Sequence, residues 1–133
     1  MIEVKNIFLT LNKRQILDHV SLKLQEGKIY GLVGNNGSGK TMLMKCVCGF
    51  IHPTSGIVLA DEKVIGKDVD YLPDAGVIIN GVEEIRQLLL SMKNDHKTIV
   101  IASHNAEDIQ VLCDEVYEME NGKLDVNSIK QQI

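Results

Sequence analysis

Eight consecutive residues, Gly34-Asn35-Asn36-Gly37-Ser38-Gly39-Lys40-Thr41, fit the pattern G-x-x-x-x-G-K-[ST] in full. The chemistry this pattern serves is the holding of phosphate. Gly34, Gly37 and Gly39 permit turns that side chains would block and let backbone N–H groups approach phosphate oxygens. The first turn of a following helix, through Met42, has unpaired N–H groups and a partial positive charge, worth about 0.3–2 kcal/mol toward an anion. Lys40 adds a full charge near the outer phosphates, and the Thr41 hydroxyl is a candidate Mg²⁺ ligand. The bland alternative is a glycine-rich turn with an incidental lysine. It must explain why every motif position and both flanking elements agree, so the segment is read as a nucleoside triphosphate site.

Such a loop needs a strand that ends at Val33 and a helix that begins near Lys40. Ile29 to Val33 is almost wholly apolar, the character of a strand covered on both faces. Lys40 to Phe50 reads as a helix with Leu43, Met44, Val47 and Cys48 inward, stopped by Pro53 and Gly56. Upstream, Ile2 and Val4, then Ile7, Leu9 and Leu11 after a break, predict a strand. Asn12-Lys13-Arg14 predicts a turn, and Val20, Leu22 and Leu24 a second strand. Downstream come short strands at Ile57 to Leu59, Val77 to Ile79 and Thr98 to Ala102, with Asp61 to Asp74 weakly structured or in hairpin turns. Helices are expected over Gly81 to Asn94 and from about Asn105 to Cys113. A closing hairpin, Val116 to Met119 with Lys123 to Val126, turns on Asn121-Gly122. Strands alternating with helices predict an α/β fold: a central, mostly parallel sheet with flanking helices and an antiparallel N-terminal β part.

The chain has 133 residues against a typical domain size of roughly 150, so residues 1–133 are read as one domain. Fourteen Lys and Arg against eighteen Asp and Glu leave a net charge of −4. That balance argues against nucleic acid as a partner, which needs clustered cations for counterion release. No stretch approaches the roughly 20 apolar residues of a membrane span, and no signal-peptide pattern opens the chain. Three cysteines, an odd number, fit reduced buried thiols better than a disulfide framework. Cys46 and Cys48 are spaced to point apart on a helix. A cytoplasmic location is expected.

Longer matches surround the loop. The run Ile16 to Leu24, then Glu26-Gly27-Lys28 through Thr41, resembles the ATP-binding subunits of ABC transporters. Gly49-Phe50-Ile51-His52-Pro53-Thr54-Ser55-Gly56 and Ser103-His104 fit the same pattern. Cys113-Asp114-Glu115-Val116-Tyr117 and Glu120-Asn121-Gly122-Lys123-Leu124 are similar to that family's closing strands. The resemblance implies a P-loop NTPase-like core that binds ATP and Mg²⁺ and pairs head to tail with a second nucleotide-binding domain. It implies that the pair energises transport by a transmembrane permease subunit, peripheral to the inner face of the membrane. It also implies that His104 is the switch histidine that contacts the γ-phosphate. On its residues alone, His104 sits after an apolar strand, at the edge where α/β sheets bind ligands. Ser103-His104-Asn105 equally fits a helix cap.

Departures from the family pattern bear on hydrolysis. The helical subdomain with its Leu-Ser-Gly-Gly-Gln signature and the strand ending in Asp-Glu have no match here. Gly76-Val77-Ile78-Ile79-Asn80 resembles the strand entering the Gln loop and runs straight into Gly81-Val82-Glu83-Glu84-Ile85-Arg86, which resembles the helix after the Asp-Glu strand. An internal segment is read as deleted near residues 80–81, and Asn80 belongs to either side of the cut. Removing a central strand leaves its neighbours unpaired unless the sheet closes up, so lower stability or self-association is expected. Ile57 to Glu62 imitates the missing strand, but the resemblance puts that segment in an antiparallel strand far from phosphate. The usual adenine-stacking aromatic falls at Leu11, with Phe8 nearby, so weak ATP affinity is expected, by on the order of 1 kcal/mol. The leading expectation is nucleotide binding with little or no hydrolysis. The alternative is a non-enzymatic folding core or binding module that keeps the loop as an anion site. A small-molecule kinase is a third reading, disfavoured because no lid of clustered arginines follows.

Overall fold

Alternation carries the first strand, but with a phase slip. In the computed structural model, which describes residues 1–35, 37–72, 76–80, 98–103 and 113–131, β1 spans Ile2–Leu11. Ile2 and Val4 are buried, Lys5 and Asn6 are exposed, and burial resumes at Ile7 and Leu9. Asn6 makes the slip with a left-handed φ of 48°. Its N–H donates to Ser21 Oγ at 2.9 Å, which holds the bulge. Asn12 and Lys13, with φ of 52° and 63°, form a two-residue turn into β2, Arg14–Leu24. That turn is shorter than expected, because Arg14 is already paired with Leu11 across the hairpin. β1 pairs on its other edge with β4 (Ser55–Ala60), which turns through Asp61-Glu62 into β5 (Lys63–Val64). These strands form an antiparallel sheet in the order β2-β1-β4-β5. Ile57 to Ala60 therefore stands in the antiparallel sheet, with Asp61-Glu62 in the turn that follows. Asp61 Oδ1 accepts a hydrogen bond at 2.7 Å from the amino group of Met1.

The second sheet has the order β6-β7-β3-β8-β9, formed by Gly76–Asn80, Thr98–Ser103, Ile29–Val33, Glu115–Glu120 and Lys123–Gln131. β3 is central and buried at every residue, with parallel neighbours on both sides, as its apolar run predicts. Asp114 anchors its start: Oδ2 accepts from the Ile29 N–H at 2.7 Å, and the Asp114 N–H donates to the Ile29 carbonyl. β6 lies directly beside β7 in continuous parallel register, from Gly76 opposite Thr98 to Asn80 opposite Ala102. No gap separates the strands on either side of residues 81–97, which lie outside the described residues together with the expected helices over Gly81 to Asn94 and Asn105 to residue 112.

The helix α1 spans Lys40–Cys48 and ends where Gly49, at φ 93°, takes the left-handed turn and donates to the carbonyls of Lys45 and Cys46. Its buried residues are Leu43, Met44, Cys46 and Val47. Cys46 thus replaces Cys48 on the inward face, because at 100° per residue Cys46 lies closer to the Leu43–Val47 line than Cys48 does. α1 joins the two sheets in one core, where Ile7, Leu9, Leu17 and Val20 meet Tyr30, Leu32, Leu43, Met44, Val47 and Met119. Each such side chain contributes roughly 1.5–3 kcal/mol by leaving water. Among the described residues no helix is long and apolar enough to cross a membrane.

Burial sorts the thiols. It pushes Cys46 up to about 11 and Cys113 up to about 12, the latter helped by the Asp114 charge, and raises half-buried Cys48 less far. A thiol reagent at pH 8 is expected to label Cys48 first in the native chain, and Cys46 and Cys113 only at the rate of unfolding. In the unfolded chain these thiols ionise near 9.0, so stability present below that pH falls as pH rises from 9 toward 11. Mass mapping after brief labelling checks the order; Cys46 reacting before Cys48 would contradict this helix orientation.

Candidate functional site

The loop from Gly34 to Gly39 leaves the carboxyl end of β3 and enters α1. Ser38 N–H donates to the Asn35 carbonyl at 3.1 Å, closing a tight turn. Asn36 lies outside the described residues. Gly37 and Gly39 hold φ of 86° and 99°. At Gly34 a Cβ would stand 2.6 Å from Ser38 Oγ and 2.8 Å from the Met119 carbonyl, so only glycine lets the loop fold this tightly against β8.

Four features suit this loop to a polyanion. Gly39 precedes α1 with no side-chain cap on the first turn, so the amides of Lys40, Thr41 and Met42 remain open to a ligand. No acidic side chain occupies that turn. Lys40 Nζ curls over the loop and donates to the Gly34 carbonyl at 2.9 Å. Burial lowers its pKa, as expected for an ammonium held near a partly dry cavity. Ser38 Oγ is buried with no hydrogen-bond partner among the described residues, an orphan that a phosphate oxygen or water would satisfy.

A cavity of about 500 Å³ opens over the loop, within the range of small-molecule sites. Asn35, Gly37, Ser38, Gly39, Lys40, Thr41 and Met42 line it. Thr41 is exposed there, free to offer its hydroxyl to a cation that phosphate oxygens would also hold, the usual arrangement for Mg²⁺. Two further walls were not anticipated. Arg14, Gln15 and Ile16 come from β2, and Asn121 and Gly122 from the β8–β9 turn. Asn121-Gly122 is legible as a turn, but its docking on the loop is a tertiary contact with no local signal. Phe8 faces elsewhere, edge-on to His19 at 4.2 Å between ring centres. Leu11 does not line the cavity.

The remaining candidates fall at the same sheet edge or outside the described residues. β7 ends at Ser103, opposite Val33, which immediately precedes Gly34. His104 lies outside the described residues. No Asp or Glu lines the cavity among the described residues.

The family described as ABC transporter matches residues 17–130. This chain belongs to the ABC transporter ATP-binding family. Within that family it is 37% identical over 107 residues to the uncharacterized ABC transporter ATP-binding protein YybJ of Bacillus subtilis, covering 79% of this chain and 49% of YybJ. The chain thus spans about half the length of that relative. It is 24% identical over 196 residues to the uncharacterized ABC transporter ATP-binding protein MJ1023 of Methanocaldococcus jannaschii, covering 92% of this chain and 75% of MJ1023. The fold aligns with the ADP conformation of MJ1267, an ATP-binding cassette of an ABC transporter, at a TM-score of 0.84 and 14% identity over 99% of this chain and 91% of that one.

What fixes the family's loop in this chain is the β8–β9 turn. Gly122 N–H donates to the Ser38 carbonyl at 2.8 Å, and its carbonyl accepts from the Asp18 N–H at 2.9 Å. A Cβ on Gly122 would stand 2.3 Å from the Ile16 carbonyl, at a φ of 78°. Gly27 has a similar φ, 76°, but open space around it. Gly27→Ala should therefore cost about 1–2 kcal/mol for the left-handed backbone alone, and Gly122→Ala clearly more. Urea denaturation of the two variants measures the difference; equal losses would mean that the turn yields without strain.

Proposed function

We propose that this chain is an internally shortened nucleotide-binding domain of an ABC transporter, one domain over residues 1–133, that binds ATP with Mg²⁺ and hydrolyses it little or not at all. The observation that carries this reading is the uncapped, glycine-turned loop with the orphan Ser38 hydroxyl and Lys40 over a cavity of about 500 Å³. Gly34, Asn35, Asn36, Gly37, Ser38, Gly39, Lys40, Thr41 and Met42 hold the phosphates. Backbone amides supply donors along the chain of oxygens, Lys40 supplies charge, and the Thr41 hydroxyl is the protein's ligand to Mg²⁺. When bound, the ion neutralises phosphate charge.

The shortening near residues 80–81 is supported by two observations. The alignment to MJ1023 runs over 196 residues, more than the 133 in the whole chain, so that relative carries residues without a counterpart here. Beside this, β6 packs directly on β7. The weak or absent hydrolysis follows from chemistry: a water must be oriented or deprotonated by a carboxylate, and no described carboxylate lines the cavity. His104 is assigned as the γ-phosphate contact, since β7 ends level with the start of the loop. By membership of the family, the functional partners are a second nucleotide-binding domain and a transmembrane permease subunit, at the cytoplasmic face of the membrane.

ATP–Mg²⁺ at a hundredfold excess over Kd should raise unfolding stability by about 2.7 kcal/mol. Lys40→Ala should abolish that gain while leaving the unliganded midpoint near its original value. Phosphate release should stay at background with or without Lys40. Turnover that disappears in Lys40→Ala would refute the non-hydrolysing part, and absence of any ATP-dependent stabilisation would refute the binding part.

A further inference from the structure

Among the described residues, four strands stand at the ends of the two sheets: β2 and β5 in one, β6 and β9 in the other. An edge strand offers a row of unpaired N–H and C=O groups that a second chain can extend. Proteins blunt such edges with charge, brevity, proline or bulges. Three of the four carry these devices. β2 holds Arg14, Asp18 and Lys23 and is interrupted by the left-handed His19 at φ 53°. β5 is only two residues long, one of them Lys63. β9 holds Lys123, Asp125 and Lys130, and its register on β8 slips between Val116 and Glu118. β6 has none of them. Its sequence Gly76-Val77-Ile78-Ile79-Asn80 contains no charge and no proline, and its middle three residues are β-branched. Its register on β7 is unbroken, and no described strand pairs with its other side.

We propose that β6 is a self-association edge: two copies of this chain pair β6 to β6, antiparallel, about a two-fold axis at Ile78, joining their parallel sheets into one. The occupant is a second copy because the segment is complementary to itself. A two-fold at Ile78 sets Gly76 opposite Asn80 of the second copy, Val77 opposite its Ile79, and Ile78 opposite its own equivalent. No like charges meet in that register, although each chain carries a net charge of −4. At about 3.3 Å per residue a five-residue edge is short. It buries little beside the roughly 1,200–2,000 Å² of stable interfaces, so the pair is reversible and concentration-dependent. Main-chain pairing at this edge involves no nucleotide. It is distinct from the head-to-tail pairing that the family resemblance implies.

Sedimentation velocity of the full chain, from micromolar to millimolar concentration, tests this assignment. Wild type should pass from monomer to dimer, equally with and without ATP–Mg²⁺. Gly76→Lys combined with Asn80→Lys sets lysine opposite lysine at both ends of the pairing and should weaken it about fivefold or more. Gly76→Glu combined with Asn80→Lys sets opposite charges there and should restore the wild-type constant, which a folding defect would not do. Ile78→Cys, oxidised at a concentration where wild type is dimeric, should yield a dimer linked between position 78 of each copy in peptide mass mapping. A monomer at every concentration would overturn the proposal. So would an assembly that forms only with ATP–Mg²⁺, an equal loss in both charge variants, or an Ile78→Cys dimer linked elsewhere. Growth past the dimer would overturn it as well, because a two-fold pairing closes.

Discussion

Two backbone hydrogen bonds at Gly122, one to Ser38 and one from Asp18, tie together three segments that are distant in sequence. Without them the phosphate loop would hang from β3 and α1 by its ends only. With them, it is pressed between the antiparallel sheet, through β2, and the closing hairpin of the parallel sheet. The contact is backbone on backbone, which is why the sites facing each other are Gly39 and Gly122: any side chain there would hold the walls apart. The cavity takes its form from the same three segments, so the geometry of the site and the junction of the two sheets are one piece of structure.

Much of this was legible wherever a local rule decides the outcome. The strand–loop–helix unit around Gly34 to Thr41, the apolar β3 and the Asn121-Gly122 hairpin follow from spacing, periodicity and turn chemistry. Less legible were features that depend on what packs where. The bulge at Asn6 is held by Ser21, fifteen positions away, and a second irregularity at His19, φ 53°, lies within β2 just ahead of the alternation that begins at Val20. The inward place of Cys46 depends on where the helix is truncated at Gly49 and on which of its faces the sheets cover. Arg14 looked like turn because its neighbours do; only the three-dimensional pairing with Leu11 makes it the first residue of β2 and a wall of the cavity.

Direct pairing of β6 with β7 bears on how the fold would accommodate the proposed shortening. A parallel strand satisfies its hydrogen bonds with any neighbour in parallel register, so β6 can pair with β7 over its whole length. The sequence reading left both outcomes open, unpaired neighbours or a sheet that closes up. Main-chain pairing is indifferent to side-chain identity. Chemistry is not indifferent in the same way. A side chain is not supplied by backbone pairing, so the continuity of the parallel sheet is independent of which carboxylates reach the cavity.

The contact from Lys40 to the Gly34 carbonyl gives the ligand-free loop an internal placeholder. The ammonium already lies across the cradle, so the backbone beneath it is shaped before anything arrives. An incoming anion therefore does not have to organise a floppy segment; it displaces one oxygen and offers another. Affinity then reflects an exchange between two acceptors rather than the ordering of a chain, which favours a ligand whose oxygens carry more charge than a peptide carbonyl.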